Sequence, residues 1–237
     1  MSIAENIAEI GERIAAAARR AERSPDDVTL MAVTKTFPVG AIREAYAAGI
    51  RVFGENRVQE FGGKIDGVRD LAGAEWHMIG HLQTNKAGKA VELFSAIDSI
   101  DSVKLAERID AAARAAGKHL DVLIEVNVGG EAAKSGVAPA SRELDDILLT
   151  APRLDHVAVR GLMTVPPLAE DPESARPFFR RLRELRDLIS ARTLPGVEMG
   201  VLSMGMSHDF EVAIEEGSNC VRIGSAIFGR RLNREGH

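Results

Sequence analysis

The sequence predicts an α/β protein that folds as a single (β/α)8 TIM barrel with an extra N-terminal helix. Short apolar runs alternate with helical patterns eight times, and 237 residues suffice for one large barrel. No linker rich in glycine, serine or proline divides residues 1–237, so one domain is expected. An open doubly wound sheet is the alternative, but that fold usually carries a glycine-rich loop after its first strand, where this chain has TKTFP.

The first predicted element is an amphipathic helix, because isoleucines recur at helical spacing from Ile3 to Ile14. We expect it to end near Ser24 and Pro25, since proline cannot continue a helix. Strands are expected near residues 28–34, 51–53, 75–79, 95–98, 121–128, 157–165, 197–203 and 220–224. Helices are expected between them, among them 102–116 and 173–192, the second with an apolar stripe at Phe178, Leu182, Leu185 and Ile189.

The composition narrows the function classes. The formal net charge of −5 argues against a nucleic-acid surface, because phosphate binding requires a basic face. Arginine groups within residues 19–23, 180–186 and 230–234 are interpreted as solvated faces. No apolar run approaches the roughly 18 residues of a membrane span, and no signal peptide is expected. The single cysteine, Cys220, cannot form an internal disulfide and is expected to be buried, which favours a cytoplasmic protein.

Lys35 is the most informative residue of the chain. It follows the apolar run from Leu30 to Val33 at the predicted C-terminal end of the first strand, where (β/α)8 barrels place their chemistry. A lysine there is a Schiff-base candidate, and a solvated strand-end lysine is the simpler alternative. The functional interpretation is favoured because polar residues recur at the same end of later strands, namely Asn56, His77, Asn127, Ser203 and Arg222.

The loops after the last two predicted strands suit a phosphate group. Gly224 and Ser225 follow the eighth strand, where backbone N–H groups can approach an anion, although turn chemistry would explain each glycine alone. The loop after the seventh strand supplies Ser203, Gly205, Met206 and Ser207. An imine-forming lysine and a phosphate cradle together suit pyridoxal 5′-phosphate (PLP), an aldehyde at one end and a phosphate at the other. Met163 either lines the pocket of its ring or packs in the core.

The remaining polar candidates carry weaker signals. His77 and His81 are placed for proton transfer, although a structural hydrogen-bonding role is slightly favoured. Lys86 and Lys134 are interpreted either as secondary PLP or anion contacts or, more simply, as surface lysines. No metal site is predicted, because the six histidines lie on separate elements without the spacing of a zinc motif.

Seven strings in order along nearly the whole chain resemble the YggS/PROSC family of PLP homeostasis proteins. They are AVTKT at 32–36, FGENRVQE at 53–60, WHMIGHLQTNK at 76–86, KSG at 134–136, GLMTVP at 161–166, LSMGMSHDFEVAI at 202–214 and VRIGSAIFG at 221–229. The resemblance implies a barrel like the N-terminal domain of alanine racemase, with PLP held by Lys35 as a Schiff base. It also implies buffering or delivery of PLP, effects on amino-acid and keto-acid balance, and no established catalytic turnover. The implied partners are PLP and apo PLP-dependent enzymes as recipients.

The resemblance assigns six further cofactor-binding positions: Ser203, Gly224 and Ser225 for the phosphate, Asn56 and Met204 for the ring, and Arg222 for the pyridine nitrogen. The chain departs from the family pattern at Thr34, Ser225 and Ala133. None of these departures removes a charged or imine-forming group.

Three function classes are compared: a non-catalytic PLP carrier, a PLP-dependent amino-acid racemase of low activity, and a Schiff-base aldolase. Arginine against the pyridine nitrogen disfavours its protonation and weakens the ring as an electron sink. A two-base racemase needs a second acid or base, and the only tyrosine, Tyr46, is expected outside the barrel. An aldolase needs a carboxylate or tyrosine beside its lysine, where this chain has Thr34 and Thr36. A carrier is therefore favoured; it is expected to be a monomer with a loose charged tail at 230–237.

Overall fold

Eight parallel strands close into a barrel in the order of the sequence. In the computed structural model, which describes residues 1–131 and 134–229, the strands are β1 (Thr29–Val33), β2 (Val52–Glu55), β3 (Glu75–Met78), β4 (Ala96–Ile100), β5 (Leu120–Glu125), β6 (Val157–Met163), β7 (Val197–Ser203) and β8 (Cys220–Ile223). Each pairs with its neighbours, and β8 pairs with β1. The predicted barrel is confirmed, and the doubly wound alternative is wrong because the first and last strands are hydrogen-bonded to each other.

Helices surround the strands. They are α1 (Ile3–Arg20), α2 (Val39–Ala47), α3 (Val58–Gly62), α4 (Ala87–Leu93), α5 (Val103–Ala116), α6 (Arg142–Thr150), α7 (Arg176–Ser190), α8 (Phe210–Glu215) and α9 (Ser225–Phe228). The helix expected over 173–192 begins as a 3-10 turn at Pro172–Ala175, and its predicted apolar stripe packs on the core. Two expectations, on Ala133 and on the tail 230–237, lie outside the described residues. Within the described ranges, no helix combines the length and apolar character that a membrane crossing requires.

The extra N-terminal helix is present, but it ends earlier than predicted. Ser2 and Glu5 form a capping box at its start, and Ile10 and Ile14 are buried in the core. The helix stops at Arg20 because the chain turns before Pro25. Glu22 takes a left-handed backbone conformation, φ 55°, and the next backbone N–H donates to the carbonyl of Ala18 at 2.9 Å.

The fifth strand is shorter than the predicted 121–128. A returning segment closes its end, because the N–H of Val137 donates to the carbonyl of Glu125 at 2.9 Å. The N–H of Asn127 donates back to the carbonyl of Val137 at 2.8 Å. Gly136, with φ 98°, makes the necessary turn in the region that favours glycine. The segment around residues 134–137 is thereby brought to the barrel mouth.

Aromatic rings fix α3 against the second and third strands. The ring of Trp76 lies 4.7 Å from those of Phe53 and Phe61, and Phe61 lies 5.0 Å from Phe94. All four side chains are buried, and such pairs add to the free energy of area burial. The helix that follows β2 is therefore held rigidly beside the end of β1.

The arginine group at 180–186 is only partly solvated, in contrast to the prediction. Arg180 and Arg183 each place a guanidinium nitrogen 3.0 Å from the carboxylate of Glu216, and Arg176 lies 3.2 Å from it. Glu216 is buried, so the arginines of α7 offset its charge and tie this helix to the end of α8.

Candidate functional site

A cavity of about 560 Å³ opens at the C-terminal ends of the strands. Its lining includes residues from the ends of β1, β2, β3, β5 and β8 and from the loops that follow β6 and β7. Its polar members are Lys35, Asn56, His81, Glu125, Lys134, Ser135, Ser207, His208, Arg222 and Ser225. This is the face of a (β/α)8 barrel that carries chemistry.

Lys35 reaches the cavity because of strand alternation. Val33 and Lys35 line the cavity, and Thr34 between them points to the helix layer and donates a hydrogen bond to Glu55 at 2.8 Å. Lys35 is half-buried. The alternation that begins in β1 therefore brings Lys35 to the cavity, as the sequence predicts.

Arg222 forms the inner wall of the cavity and is almost fully buried. Its guanidinium donates to the hydroxyl of Ser203 and to the carbonyl of Thr164, both at 2.7 Å. Burial lowers the pKa of Arg222, opposed by acids that include Glu125. These bonds fix the plane of the guanidinium and hold a positive charge against whatever the cavity contains.

Two of the predicted cofactor-binding residues lie behind the cavity wall. Ser203 and Met204 are fully buried, and neither is among the lining residues. The hydroxyl of Ser203 supports Arg222, and the side chain of Met204 packs into the hydrophobic core. The N–H of Met204 continues the strand pairing by donating to the carbonyl of Cys220 at 3.1 Å.

The loops after β7 and β8 converge on one side of the cavity. Gly224 and Ser225 line it together with Met206 and Ser207, and the Ser207 hydroxyl accepts from the N–H of Ala226 at 3.3 Å. This juxtaposition of hydroxyl and backbone groups suits a phosphate, as the sequence predicts.

The first of these loops is shaped by two residues. Gly205 has φ 95°, and a Cβ there would lie 2.6 Å from the Cβ of Ala213. The N–H of Met206 donates to the carboxylate of Asp209 at 2.6 Å. The loop therefore has one conformation that a larger residue at Gly205 would not permit.

Asn56 lines the cavity next to Gly80, a residue that the sequence reasoning missed. A Cβ on Gly80 would lie 2.5 Å from the carbonyl oxygen of Asn56, so only glycine fits. The hydroxyl of Ser99 donates to the carbonyl of Gly80 at 2.7 Å. The ends of β2, β3 and β4 are thereby packed together around Asn56.

Glu125 is the second residue that the sequence reasoning missed. It closes β5, is 8% exposed, lines the cavity, and its Oε2 has no hydrogen-bond partner among the described residues. Burial, with a smaller contribution from Asp101, raises the pKa of Glu125 to about 7, against the opposing effects of Arg222 and His81. An acidic residue ending the apolar run LDVLIE was the available signal.

The histidines and the second lysine differ in their placement. His81 lines the cavity and pairs with Asp101 at 3.2 Å. His77 does not line it; its Nδ1 lies 3.0 Å from the buried carboxylate of Asp98. Burial lowers the pKa of His77, but Asp98, with a further contribution from Glu75, outweighs it and raises the pKa to about 10. His77 is therefore a structural cation.

Lys134 lines the cavity and Lys86 does not. The amine of Lys134 donates to the carbonyl of Pro166 at 3.0 Å and lies 2.8 Å from the carboxylate of Glu131. The amide of Asn127 donates to the carbonyl of Glu131 at 2.8 Å and does not reach the cavity. Met163 is fully buried and also lies outside the lining, which favours its packing role.

Metal ligands and the single thiol were also considered in the sequence. Within residues 1–131 and 134–229, no three acids, histidines or cysteines are grouped as metal ligands. Cys220 is buried as predicted, and burial raises the pKa of its thiol to about 12, so it stays protonated and inert.

Comparison with known proteins decides the family. Residues 6–231 match the family described as alanine racemase, N-terminal domain. The pyridoxal phosphate homeostasis protein of Aquifex aeolicus is 48% identical over 232 residues, covering 98% of this chain and 99% of that one. This chain belongs to the pyridoxal phosphate homeostasis protein family.

Solved structures agree with this family assignment. The structure of PipY of Synechococcus elongatus with PLP bound superposes with a TM-score of 0.82 at 38% identity, covering 96% of this chain and all of that one. A protein of Bifidobacterium adolescentis, described as unknown, superposes with a TM-score of 0.89 at 40% identity, covering 95% and 94% of the two chains. Both solved structures therefore share the fold of this chain over nearly its whole length.

Proposed function

We propose that this protein binds PLP through an imine bond to Lys35 and buffers or delivers it, without catalytic turnover of its own. One observation carries the proposal: Lys35 and the loops after β7 and β8 line the same cavity. A lysine amine and a phosphate-binding edge are the two groups that a phosphorylated aldehyde needs. The names of the Aquifex aeolicus relative and of the PLP-bound PipY structure support the same cofactor.

The proposed roles of the other residues follow from their places. Gly224 and Ser225 hold the phosphate, Asn56 flanks the ring, and Arg222 faces the pyridine nitrogen. Ser203, assigned to the phosphate from the resemblance, acts through the guanidinium of Arg222, to which it is bonded. Met204, assigned to the ring, supports the site from the hydrophobic core. This set fits the cofactor, because it offers an amine, a fixed cation and hydroxyl groups in one cavity.

The charge on Arg222 restrains carbanion chemistry in general, and the place of the only tyrosine supports a carrier over a two-base racemase. PLP supplies an electron sink to bound amines, and that sink is strongest when the pyridine nitrogen is protonated. A buried guanidinium held by Ser203 and Thr164 opposes that protonation. Tyr46, the only tyrosine, donates its hydroxyl to the carbonyl of Ala72 and lies outside the cavity lining. Deuterium exchange at the Cα of alanine in heavy water would reveal the racemase alternative.

The remaining parts of the proposal concern domain organisation, oligomeric state, location and partners. We infer one domain over residues 1–237, which the pairing of β8 with β1 within the described residues supports. We infer that the protein is a cytoplasmic monomer. The free, buried thiol of Cys220 is consistent with the reducing cytoplasm. Apo PLP-dependent enzymes are the proposed recipients of the cofactor.

The test is an absorption spectrum of the purified protein with PLP, before and after borohydride reduction, followed by peptide mapping. We expect one reduced adduct, on Lys35, and its complete loss in Lys35→Ala. Lys86→Ala is the matched control, because Lys86 lies outside the cavity lining, and it should be labelled like the wild type. An adduct that maps elsewhere, or a protein that stays colourless with excess PLP, contradicts the proposal.

A further inference from the structure

The turn that carries Lys35 is held on both sides by two charged residues at and after α3. The amine of Lys64 donates to the carbonyl of Thr34 at 3.0 Å, and the N–H of Thr36 donates to the carboxylate of Glu60. The amine of Lys64 also lies 2.7 Å from that carboxylate. A chain of contacts therefore runs from Thr34 through Lys64 and Glu60 to Thr36, and the backbone of Lys35 closes it into a ring.

This turn needs support, because Thr36 has φ 69°. A β-branched residue in the left-handed region is an outlier, and such a conformation persists only where the surrounding structure holds it. The hydrogen bond from the N–H of Thr36 to Glu60 is made in this conformation. Glu60 therefore opposes the relaxation of the residue that directly follows Lys35.

The two residues are themselves anchored in the barrel wall. The amine of Lys64 lies 2.9 Å from Glu55, which ends β2 and whose side chain is 0% exposed. The hydroxyl of Thr34 donates to the same carboxylate oxygen of Glu55 at 2.8 Å. Burial raises the pKa of Glu55, an effect that the ammonium of Lys64 opposes. Glu55, Glu60 and Lys64 thus tie the end of β1 to β2 and to α3.

We propose that Glu60 and Lys64 are positioning residues for Lys35: they lock the turn at Thr36 and so fix where the amine enters the cavity. The inference rests on the proposed function. A cofactor gripped at its phosphate by the loops after β7 and β8 presents its aldehyde at one place, so the lysine must be held at a matching place. Neither residue lines the cavity, so neither touches the cofactor.

The test compares PLP affinity, from titration of the imine absorption, in variants of Glu60. Glu60→Ala removes the acceptor for the N–H of Thr36, and we expect about a tenfold rise in the Kd for PLP, since small misplacements of a reacting group are costly. Glu60→Gln keeps an acceptor oxygen and should restore most of the affinity. Rescue of the affinity by Glu60→Gln would assign the loss to the missing acceptor for the N–H of Thr36.

A double-mutant cycle with Thr36→Gly isolates the turn. Glycine adopts positive φ readily, so the held conformation no longer depends on Glu60. In that background we expect Glu60→Ala to change the Kd by about twofold or less, so that the two substitutions are non-additive, as for residues in contact. A tenfold loss in both backgrounds, or no loss in either, would overturn the inference.

The control is Lys89→Met, which breaks an exposed lysine–glutamate pair of 2.7 Å on α4, away from the cavity. It should bind PLP like the wild type. A loss of PLP affinity as large as that of Glu60→Ala would also overturn the inference. Thermal unfolding of each apo variant shows that it is folded before titration. The proposed function fails separately, if the wild type itself gives no adduct on Lys35.

Discussion

At the scale of single residues, Glu125 is an acid in the lining of the cavity. Its side chain lies in the wall with one oxygen unpartnered among the described residues, and burial raises its pKa to about 7. The carboxyl therefore titrates near neutral pH, close enough to Arg222 for each to affect the pKa of the other. Sequence analysis identified Lys35 and Arg222 from their strand ends. It passed over Glu125, because the burial that shifts its pKa arises only in the folded barrel.

Glu125→Gln should change how the stability of the apo protein depends on pH. The folded-state pKa lies above the ordinary value of 4.5, so ionisation costs stability as pH rises from about 4.5 through 7. The variant lacks that loss. We expect it to equal the wild type near pH 4 and to exceed it by about 3 kcal/mol at pH 8.5, from denaturant unfolding at both pH values.

Glu107→Gln, at an exposed position of α5, is the control and should follow the wild type at both pH values. A Glu125→Gln variant whose stability difference from the wild type does not vary with pH would contradict the assigned titration.

At the scale of elements, the strands and helices follow from local sequence, and the contacts between strand ends do not. The eight apolar runs predicted the eight strands because each is bounded by turn residues and followed by a helical pattern. The short β5 was missed, since the contact from Val137 to Glu125 decides where it ends. The early end of α1 was missed because Glu22 adopts a left-handed conformation that its residue type does not predict. Gly80 is the clearest case, because its need for glycine comes from Asn56 on the neighbouring strand.

Gly80→Ala should displace the end of β2 and weaken both folding and cofactor binding. A Cβ at 2.5 Å from a backbone oxygen forces the backbone to move, and overpacking of this kind costs about 1–3 kcal/mol. We expect a lower free energy of unfolding in denaturant and weaker PLP binding in titration, because Asn56 lines the cavity.

Gly88→Ala is the matched control. It lies in α4 with nothing within 4 Å of its ideal Cβ, so it should stabilise the apo protein by about 0.5–1 kcal/mol. Equal free energies of unfolding and equal PLP affinities in the two glycine variants would show that the contact of Gly80 with Asn56 is unimportant.

At the scale of the whole molecule, the barrel depends on how its seventh and eighth strands meet. Their ladder contains one pair, Ser203 with Cys220, and side chains complete the join. The buried hydroxyl of Ser218 donates to the carbonyl of Met204 at 2.7 Å. The amide of Asn219 accepts from the N–H of Leu202 at 2.8 Å and donates to a carbonyl of β7 at 2.7 Å. The same join carries Arg222 and the loops proposed for the phosphate.

Ser218→Ala should destabilise this join, because it leaves the buried carbonyl of Met204 without the donor hydroxyl. We expect a loss of about 1–3 kcal/mol in the free energy of unfolding, measured with denaturant. Ser190→Ala, at an exposed serine that ends α7, should change it by no more than about 0.5 kcal/mol. A Ser218→Ala variant as stable as the wild type would show that the strand ladder alone closes the barrel.

The sequence by itself determined the barrel, the extra helix, and the placement of Lys35, Asn56, Arg222 and the last two loops at one end of it. These follow from local patterns, since alternation and strand order decide which residues reach the mouth. The tertiary structure alone decided that Ser203 lies behind Arg222 and that Glu125 is buried in the cavity wall. It also decided that Glu60 and Lys64 are hydrogen-bonded to the turn at Lys35. The physical reason is that burial and hydrogen bonding between distant segments arise only when the strands close.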